Sequence, residues 1–202
     1  MAIIKHGNNA LANITAFPSA VSTGKPVLIS TATASSSASI EFTSGIDSTY
    51  DIYKFEYINI HPQTDNYNFE VNFSIDGGSN YNVTKTTTFF RANHYENDSY
   101  ANLSYEAGYD LAQSTSNQNL MNAFGADADQ NASGTLHLFN PSSTTFVKHF
   151  MAVTSGNQND DSVRVPYVAG YCNTTSAVNA IKFVMSSGNI DAGTIKMYGI
   201  SA

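Results

Sequence analysis

The segment from Tyr67 to Ile75 alternates strictly between apolar and polar side chains. Because successive side chains of a β-strand point to opposite faces, we predict a strand with one face in the core and the other in water. Residues 76–79 (DGGS) follow, and they are typical of a tight turn because glycine tolerates positive φ. Residues 81–90 are then predicted to return as the antiparallel partner strand of a hairpin.

Similar strand signals recur from Lys25 onward at intervals of about 8–12 residues, which is the spacing of strands in a sandwich or a barrel. No long amphipathic helical pattern interrupts them, and no short repeat argues for a solenoid or a propeller. The connections are too short for parallel crossovers, so antiparallel pairing is expected. We therefore predict an all-β fold: a single antiparallel, jelly-roll-like β-sandwich of about ten strands over residues 25–202.

Two segments depart from this rhythm. Residues 1–24 are polar and irregular and contain Gly7, Pro18 and Gly24, so they are predicted to be an N-terminal arm, either frayed or ordered against another subunit. Residues 91–133 are rich in Asn, Asp, Ser and Tyr. They are predicted to be long surface loops on one rim of the sandwich, and connections of this length are uncommon unless they are functional.

Charged side chains are scarce in this chain, and most of them are acidic. They make up 12% of the 202 residues, against roughly 25% in ordinary soluble domains, and the formal net charge is −7. No basic cluster offsets this charge, so binding to nucleic acid is not expected. Cys172 is the single cysteine, which excludes an intrachain disulfide and a cysteine-based metal site. With few charges and no disulfide, the chain is expected to associate.

The N-terminal residues lack the apolar run of a signal peptide, and no segment approaches the roughly 18 apolar residues of a membrane span. The sequence therefore predicts a protein that is made in the cytoplasm and does not insert into a membrane.

One short acidic stretch resembles a calcium-binding loop. Asp127, Asp129 and Asn131 match the first three ligand positions of an EF-hand, but Ala132 stands where glycine is required and Leu138 where a bidentate glutamate is required. A polar turn is therefore favoured, and an irregular calcium site is kept as the alternative.

No catalytic residue and no cofactor are predicted. Residues 77–81 lack the final glycine of a hydrolase nucleophile elbow. His137 and His149 lie on adjacent predicted strands without the further ligands that zinc needs, so a structural pair is favoured. A glycosidase requires two carboxylates at a defined separation, and nothing in the pattern singles out such a pair.

Tyrosine and asparagine side chains concentrate in the 91–133 segment. Exposed tyrosine rings and amide groups suit both sugar surfaces and protein contacts. Packing in a subunit interface is favoured over receptor binding. The candidate binding surface consists of Tyr95, Tyr100, Tyr105, Tyr109, Asn93, Asn97 and Asn102.

Four segments resemble a family of virion proteins from marine tailed bacteriophages, including phages of cyanobacteria and pelagic bacteria. The segments are ISTATASSSASIEFTSGIDSTYDIYKFEYINIHPQTD (29–65), NFSIDGGSNYNVTKTTTFF (72–90), SGTLHLFNPSSTTFVKHF (133–150) and AGYCNTTSAVNAIKFVMSSGNIDAGTIKMYGIS (169–201). Residues 91–133 and 154–168 match least. The resemblance implies a structural protein of the virion and implies no catalytic residues.

On this basis we expect a tail-associated appendage, such as a fibre, spike or knob, with a host-surface glycan as a candidate ligand. A capsid decoration or cement protein is the first alternative, and a carbohydrate-active enzyme of the tail is the second. The expected partners are copies of the same chain, with a trimer favoured, and other virion proteins.

Overall fold

The strand signals of the sequence become twelve β-strands in the computed structural model, which describes residues 25–201. No helix occurs among these residues, so none of them forms a helix that could cross a membrane. The predicted all-β fold is confirmed, and the predicted N-terminal arm, residues 1–24, lies outside the described residues. The strands are β1 (Val27–Thr33), β2 (Ser39–Phe42), β3 (Ile52–Pro62), β4 (Tyr67–Ser74), β5 (Lys85–Tyr95), β6 (Ala101–Tyr105), β7 (Gln118–Phe124), β8 (Ala132–Phe139), β9 (Lys148–Asn157), β10 (Ser162–Cys172), β11 (Ala180–Met185) and β12 (Ile190–Ile200).

The strands form two sheets, and every pairing within them is antiparallel, as predicted. The larger sheet has eight strands in the order β1-β12-β3-β8-β9-β10-β5-β6. The smaller sheet has four strands in the order β2-β11-β4-β7. Side chains of the two sheets meet in a shared core, where Phe73 of β4 lies 4.9 Å from Phe150 of β9 between ring centroids.

Phe183 of β11 occupies the centre of an aromatic cluster between the sheets. Its ring stacks on Phe69 at 5.9 Å and lies 5.7 Å from Phe55 and 6.3 Å from Tyr57, both on β3. Phe42 of β2 closes the cluster with an edge contact at 6.5 Å. All five side chains are buried. Such pairs add about 0.5–1.5 kcal/mol each beyond the area that they bury, so this cluster is expected to dominate the stability of the core.

The alternation that predicted β4 is confirmed only for the middle of one face, because Tyr67 and Ile75 at its ends are each 41% exposed. Phe69, Val71 and Phe73 are fully buried in the core, as expected. The other face was predicted to be wet, but Asn72 and Ser74 are also buried. The connection between β6 and β7 covers Asn72, whose amide donates to the backbone oxygen of Thr115 at 3.1 Å.

The predicted hairpin between 67–75 and 81–90 is wrong. β4 pairs with β11 and β7, whereas β5 belongs to the other sheet and pairs with β10 and β6. Gly77 and Gly78 do adopt the positive φ angles of 70° and 91° expected of a turn. However, Asp76 accepts hydrogen bonds from Ser74 and Asn80 and so organises a wider loop, which carries the chain from one sheet to the other.

The prediction of long loops over residues 91–133 is also wrong in part, because this segment contains β6, β7 and parts of β5 and β8. These strands account for the count of twelve among the described residues, against about ten predicted. β6 was not predicted because its apolar and polar positions are reversed: Leu103 and Tyr105 are exposed, while Asn102 and Ser104 are half-buried. Only 106–117 remains a long connection, and its Tyr109 packs on Phe89 at 5.4 Å.

Candidate functional site

The half of the larger sheet formed by β9, β10, β5 and β6 has an apolar outer surface. Along β9 and β10, alternate residues are buried against the rest of the molecule, and the residues between them face outward. Seven large apolar side chains on the outward positions of the four strands are between 38% and 71% exposed. This outer apolar face comprises Phe90, Leu103, Tyr105, Met151, Val153, Val163 and Tyr167.

The strand register joins these side chains into a continuous row. Tyr105 of β6 is opposite Phe90 of β5, which is opposite Tyr167 of β10, which is opposite Val153 of β9. The Phe90 and Tyr167 rings stack nearly parallel, with centroids 5.0 Å apart. Soluble monomers rarely expose contiguous apolar patches of more than a few hundred Å², and larger ones mark interaction sites. The row therefore has the character of a contact surface.

The outer apolar face is free of ionised side chains, although the whole chain carries a net charge of −7. None of the outward residues of β9, β10, β5 and β6 is Asp, Glu, Lys or Arg. All four basic residues of these strands, Lys85, Arg91, Lys148 and Arg164, instead occupy the inward positions. This distribution is the reverse of an ordinary solvated sheet, and depletion of charge is typical of the centre of a protein interface.

Inward-facing polar side chains hold the strands beneath this surface. Arg164 is 5% exposed, and its Nε donates to Asn93 Oδ1 at 3.2 Å while its Nη1 donates to the Asn122 backbone oxygen at 3.4 Å. Burial lowers the pKa of the Arg164 guanidinium to about 10. Ser162 donates to the same Asn93 oxygen at 3.4 Å. Asn93 was predicted to lie on the binding surface, and this is wrong because its amide is committed to the interior.

The other predicted surface residues separate into three places. Tyr95 and Tyr100 meet edge to face at the tip of the β5–β6 hairpin, with centroids 5.9 Å apart, and the exposed Asn97 lies in the same tip. The Tyr95 hydroxyl donates to Asp160 at 2.8 Å, which anchors the hairpin to the 158–161 turn. Tyr100 is about half exposed. The hairpin tip thus presents one free tyrosine ring and an amide to solvent.

The remaining members of the set do not join the hairpin tip. Tyr105 belongs to the outer apolar face, and its hydroxyl donates to Asp110. Tyr109 packs onto Phe89 and is only partly exposed, away from the hairpin tip. Asn102 is half-buried on the inward side of β6, where it donates to Ser104 at 3.4 Å.

The calcium candidates lie beside a cavity of about 450 Å³ at one end of the larger sheet. Asp129 and Asn131 line it together with His61 and Asp191, whose Nδ1 and Oδ2 are 3.6 Å apart. Asp127 is not among the residues that line the cavity, but its backbone oxygen lies 3.2 Å from His61 Nε2. Within residues 25–201, no group of three or more His, Cys, Asp or Glu side chains is arranged to hold a metal ion.

His137 and His149 do not face each other. His137 is opposite Met151 in the β8–β9 ladder, and its ring stacks on Phe139 at 6.3 Å. His149 instead packs against Tyr171 of β10, with centroids 5.9 Å apart. Each imidazole is therefore part of the outward surface near the outer apolar face.

The outer apolar face was not predicted from the sequence. Its signal is present in residues 148–157 (KHFMAVTSGN) and 162–172 (SVRVPYVAGYC), where apolar residues occupy both sets of alternate positions. A strand that is apolar on both faces is usually assigned to the centre of a fold, so the pattern alone did not distinguish a buried strand from one with an exposed apolar face.

Comparison with known proteins adds no relative to this description. No protein-family model matches the chain, and neither the curated proteins nor the solved structures contain a match.

Proposed function

We propose that this chain is a non-enzymatic structural protein of a tailed-bacteriophage particle, and that it serves as a tail-associated appendage such as a fibre, spike or knob. The proposal depends on the outer apolar face, a surface suited to permanent contact with another protein. The resemblance of residues 29–65, 72–90, 133–150 and 169–201 to virion proteins of marine phages supplies the biological setting.

We also infer a jelly-roll topology. β1, β12, β3 and β8 adjoin in one sheet, while β2, β11, β4 and β7 form the other, so that the chain passes repeatedly between the two sheets. This is the strand arrangement of an eight-stranded jelly roll, a fold used by viral capsid proteins and lectins. The hairpin β5–β6 and the pair β9–β10 are then insertions that widen one sheet beyond the other.

A second copy of the same chain is the proposed occupant of the outer apolar face. Two copies that each carry a net charge of −7 repel each other over most of their surfaces. Contact through this uncharged area avoids that repulsion and removes the exposed rings of Phe90, Tyr105 and Tyr167 from water. Cyclic symmetry gives every copy the same surroundings, and the proposed assembly is a trimer in which the outer apolar faces surround the three-fold axis.

Sedimentation of the full-length chain tests the assembly. We expect a concentration-dependent oligomer that persists in high salt, because apolar burial is not screened by ions. A single species of 21.7 kDa at micromolar concentration would refute the proposed contact.

The copy number per particle separates the proposed tail location from the head. Quantitative mass spectrometry of purified particles should give a copy number comparable to that of tail proteins. A number comparable to that of the major capsid protein would instead support a decoration or cement role, in which the outer face contacts the shell.

A host-surface glycan is the proposed ligand of the appendage, with the hairpin tip at Tyr95, Asn97 and Tyr100 as the contact region. An exposed aromatic ring beside an amide suits a sugar face. Incubation with host polysaccharide distinguishes the alternatives: retention without release of reducing ends supports an adhesin, whereas their release in bulk would support a carbohydrate-active enzyme.

A further inference from the structure

Lys85 is a buried amine in direct contact with a side-chain amide. It is the first residue of β5 and is completely buried. Its Nζ lies 2.7 Å from Asn72 Oδ1 and donates a second hydrogen bond, also 2.7 Å long, to the backbone oxygen of Val83. Asn72 belongs to β4 and is 2% exposed. The contact therefore joins a strand of the larger sheet to a strand of the smaller one.

A buried lysine of this kind is unusual, because lysine is almost never fully buried without a charged partner. Among residues 25–201, no carboxylate forms an ion pair with Lys85. Desolvation of an unpaired ammonium is costly, so the neutral amine is favoured. Burial accordingly lowers the pKa of Lys85 to about 8. Roughly one-tenth of the amine is then neutral, and nucleophilic, at neutral pH.

The Asn72 amide is held in a single orientation by four hydrogen bonds. Its Oδ1 accepts from Lys85 Nζ and from the backbone N–H of Phe73 at 2.9 Å. Its Nδ2 donates to the Thr115 backbone oxygen at 3.1 Å and to Asn117 Oδ1 at 2.9 Å. Rotating the amide by half a turn would set its nitrogen against two donors. The carbonyl oxygen therefore stays on the side of the amine, with the carbonyl carbon one bond further away.

We propose that Lys85 and Asn72 join in an intramolecular isopeptide bond. Lys85 Nζ, as the neutral amine, attacks Asn72 Cγ, and the carbonyl electron pair moves onto Oδ1. A proton passes from Nζ to Nδ2, the intermediate collapses, and the Cγ–Nδ2 bond breaks. One Nζ–Cγ bond forms and one molecule of ammonia leaves, so that the step needs no oxidant, reductant or other reactant.

The surroundings supply what this step requires. The Phe73 N–H already bonds the oxygen on which negative charge develops, and such a fixed donor lowers the barrier more in a site without water than in solution. The fold itself holds the two groups in contact, which replaces an encounter in solution. The product is a neutral amide, so the reaction also removes the unpaired cation from the interior.

Asn117 and Glu70 act as positioning residues. Asn117 Oδ1 accepts a hydrogen bond from Asn72 Nδ2, and its own Nδ2 donates to Glu70 Oε2 at 3.0 Å. Burial raises the pKa of the Glu70 carboxyl. This chain of hydrogen bonds fixes the leaving nitrogen on the side away from Lys85, so loss of Asn117 should slow bond formation without abolishing it.

Mass spectrometry of the purified full-length chain, denatured before measurement, tests the proposal. We expect an intact mass below that of the sequence by one molecule of ammonia. Trypsin should no longer cleave after Lys85, and one peptide covering residues 55–91 should carry the whole loss, because no other Lys or Arg lies between its ends. The full sequence mass, with normal cleavage after Lys85, in folded protein would overturn the proposal.

Succinimide formation at another asparagine would also release one ammonia, and two variants distinguish it from the isopeptide bond. Lys85→Met and Asn72→Ala should each restore the full sequence mass, and a loss that persists in either variant would refute the assignment. Lys148→Met is the matched control, because Lys148 is equally buried but its Nζ contacts only the backbone oxygens of Phe146 and Thr174. This control should retain the loss. The peptide map of the unaltered chain decides the question even if a variant fails to fold.

Asn117→Ala gives a further readout. The cross-linked fraction, followed by mass from the time of synthesis, should rise more slowly than in the unaltered chain, and an unchanged time course would remove Asn117 and Glu70 from the proposed arrangement. The proposed bond is independent of the proposed role in a phage particle, because none of these measurements depends on assembly.

Discussion

Phe90 and Tyr167 stack on the outside of the larger sheet, with ring centroids 5.0 Å apart and ring planes inclined by 6°. They are paired residues of β5 and β10, and each remains about 40% exposed. An aromatic pair in this position contributes little to the core. The pair instead presents a flat apolar surface, as the proposed assembly requires.

Tyr167→Lys is expected to disrupt assembly without unfolding the chain. A cation at the centre of the outer apolar face would lose its hydration in the contact, whereas on the free surface the main cost is the lost stacking on Phe90, about 0.5–1.5 kcal/mol. Sedimentation should show a monomer, and the melting temperature of the separated chain should fall by only a few degrees. Ile75→Lys is the control, since Ile75 is 41% exposed but lies in the β4–β5 connection. If Tyr167→Lys still assembles, the contact lies elsewhere.

Phe183→Ala is expected to lower the free energy of unfolding by about 3–5 kcal/mol, because it opens a cavity among four aromatic neighbours. Urea denaturation measures this change. Phe146→Ala is the comparison, because Phe146 is 69% exposed and its removal should cost less than about 0.5 kcal/mol. Equal costs in the two variants would contradict the central position of Phe183.

Arg164→Met is expected to destabilise the β5–β10 region. It removes the two hydrogen bonds that the charged guanidinium donates to Asn93 Oδ1 and to the Asn122 backbone oxygen, each contributing about 1.5–3 kcal/mol, while Ser162 and Gln158 still donate to these oxygens. Hydrogen exchange should show faster opening of β5 and β10, together with a lower free energy of unfolding. Lys25→Ala, at an exposed position, serves as the control for loss of a positive charge. Unchanged exchange in β5 would show that the Arg164 contacts contribute nothing.

Burial of Cys172 is expected to make the free energy of unfolding fall at alkaline pH. Burial raises the pKa of its thiol from 9.0 to about 12, so the native chain keeps a proton that the unfolded chain releases. The stabilisation is complete below pH 9 and is lost as the pH rises through about 12. Urea unfolding across this range should therefore show a steeper decline for the unaltered chain than for Cys172→Ala. Thiol reagents should label Cys172 only at the rate of unfolding, and rapid labelling of the folded chain would contradict its burial.

Calcium is expected not to bind at residues 127–131. Asn131 Nδ2 donates to the Asp129 backbone oxygen at 3.4 Å, and Asp127 N donates to the Gln130 side chain, so the segment satisfies its own polar groups as a turn. Calorimetric titration with Ca²⁺ should give no heat beyond dilution. Saturable heat that disappears in Asp129→Asn would establish the irregular site.

Local patterns predicted the strands well and their partners poorly. The alternation around Phe69, Val71 and Phe73 located β4 and its core face, because a period of two is a property of the single strand. Of the two partners of β4, β7 and β11, the second lies more than a hundred residues away along the chain. Such a pairing depends on the path of the chain between the sheets, which the DGGS turn after β4 does not reveal.

The candidate surface was located only in part, for a related reason. Tyr100 is exposed and Tyr95 is half-buried at the hairpin tip, whereas Asn93 is turned inward, where Arg164 donates to it. Composition tells which residue types suit a contact, whereas the strand register decides which of them share a face. Met151 and Tyr167 were passed over because an apolar residue in a strand is ordinarily assigned to the core.

The widening of one sheet by β5–β6 and β9–β10 has a consequence for how such a chain can change over generations. The aromatic cluster around Phe183 depends on β2, β3, β4 and β11 and takes no ring from these added strands. Substitutions at outward positions of residues 85–105 and 148–172 can therefore accumulate with little penalty to folding. A lineage can acquire a new contact surface while inheriting an unaltered interior.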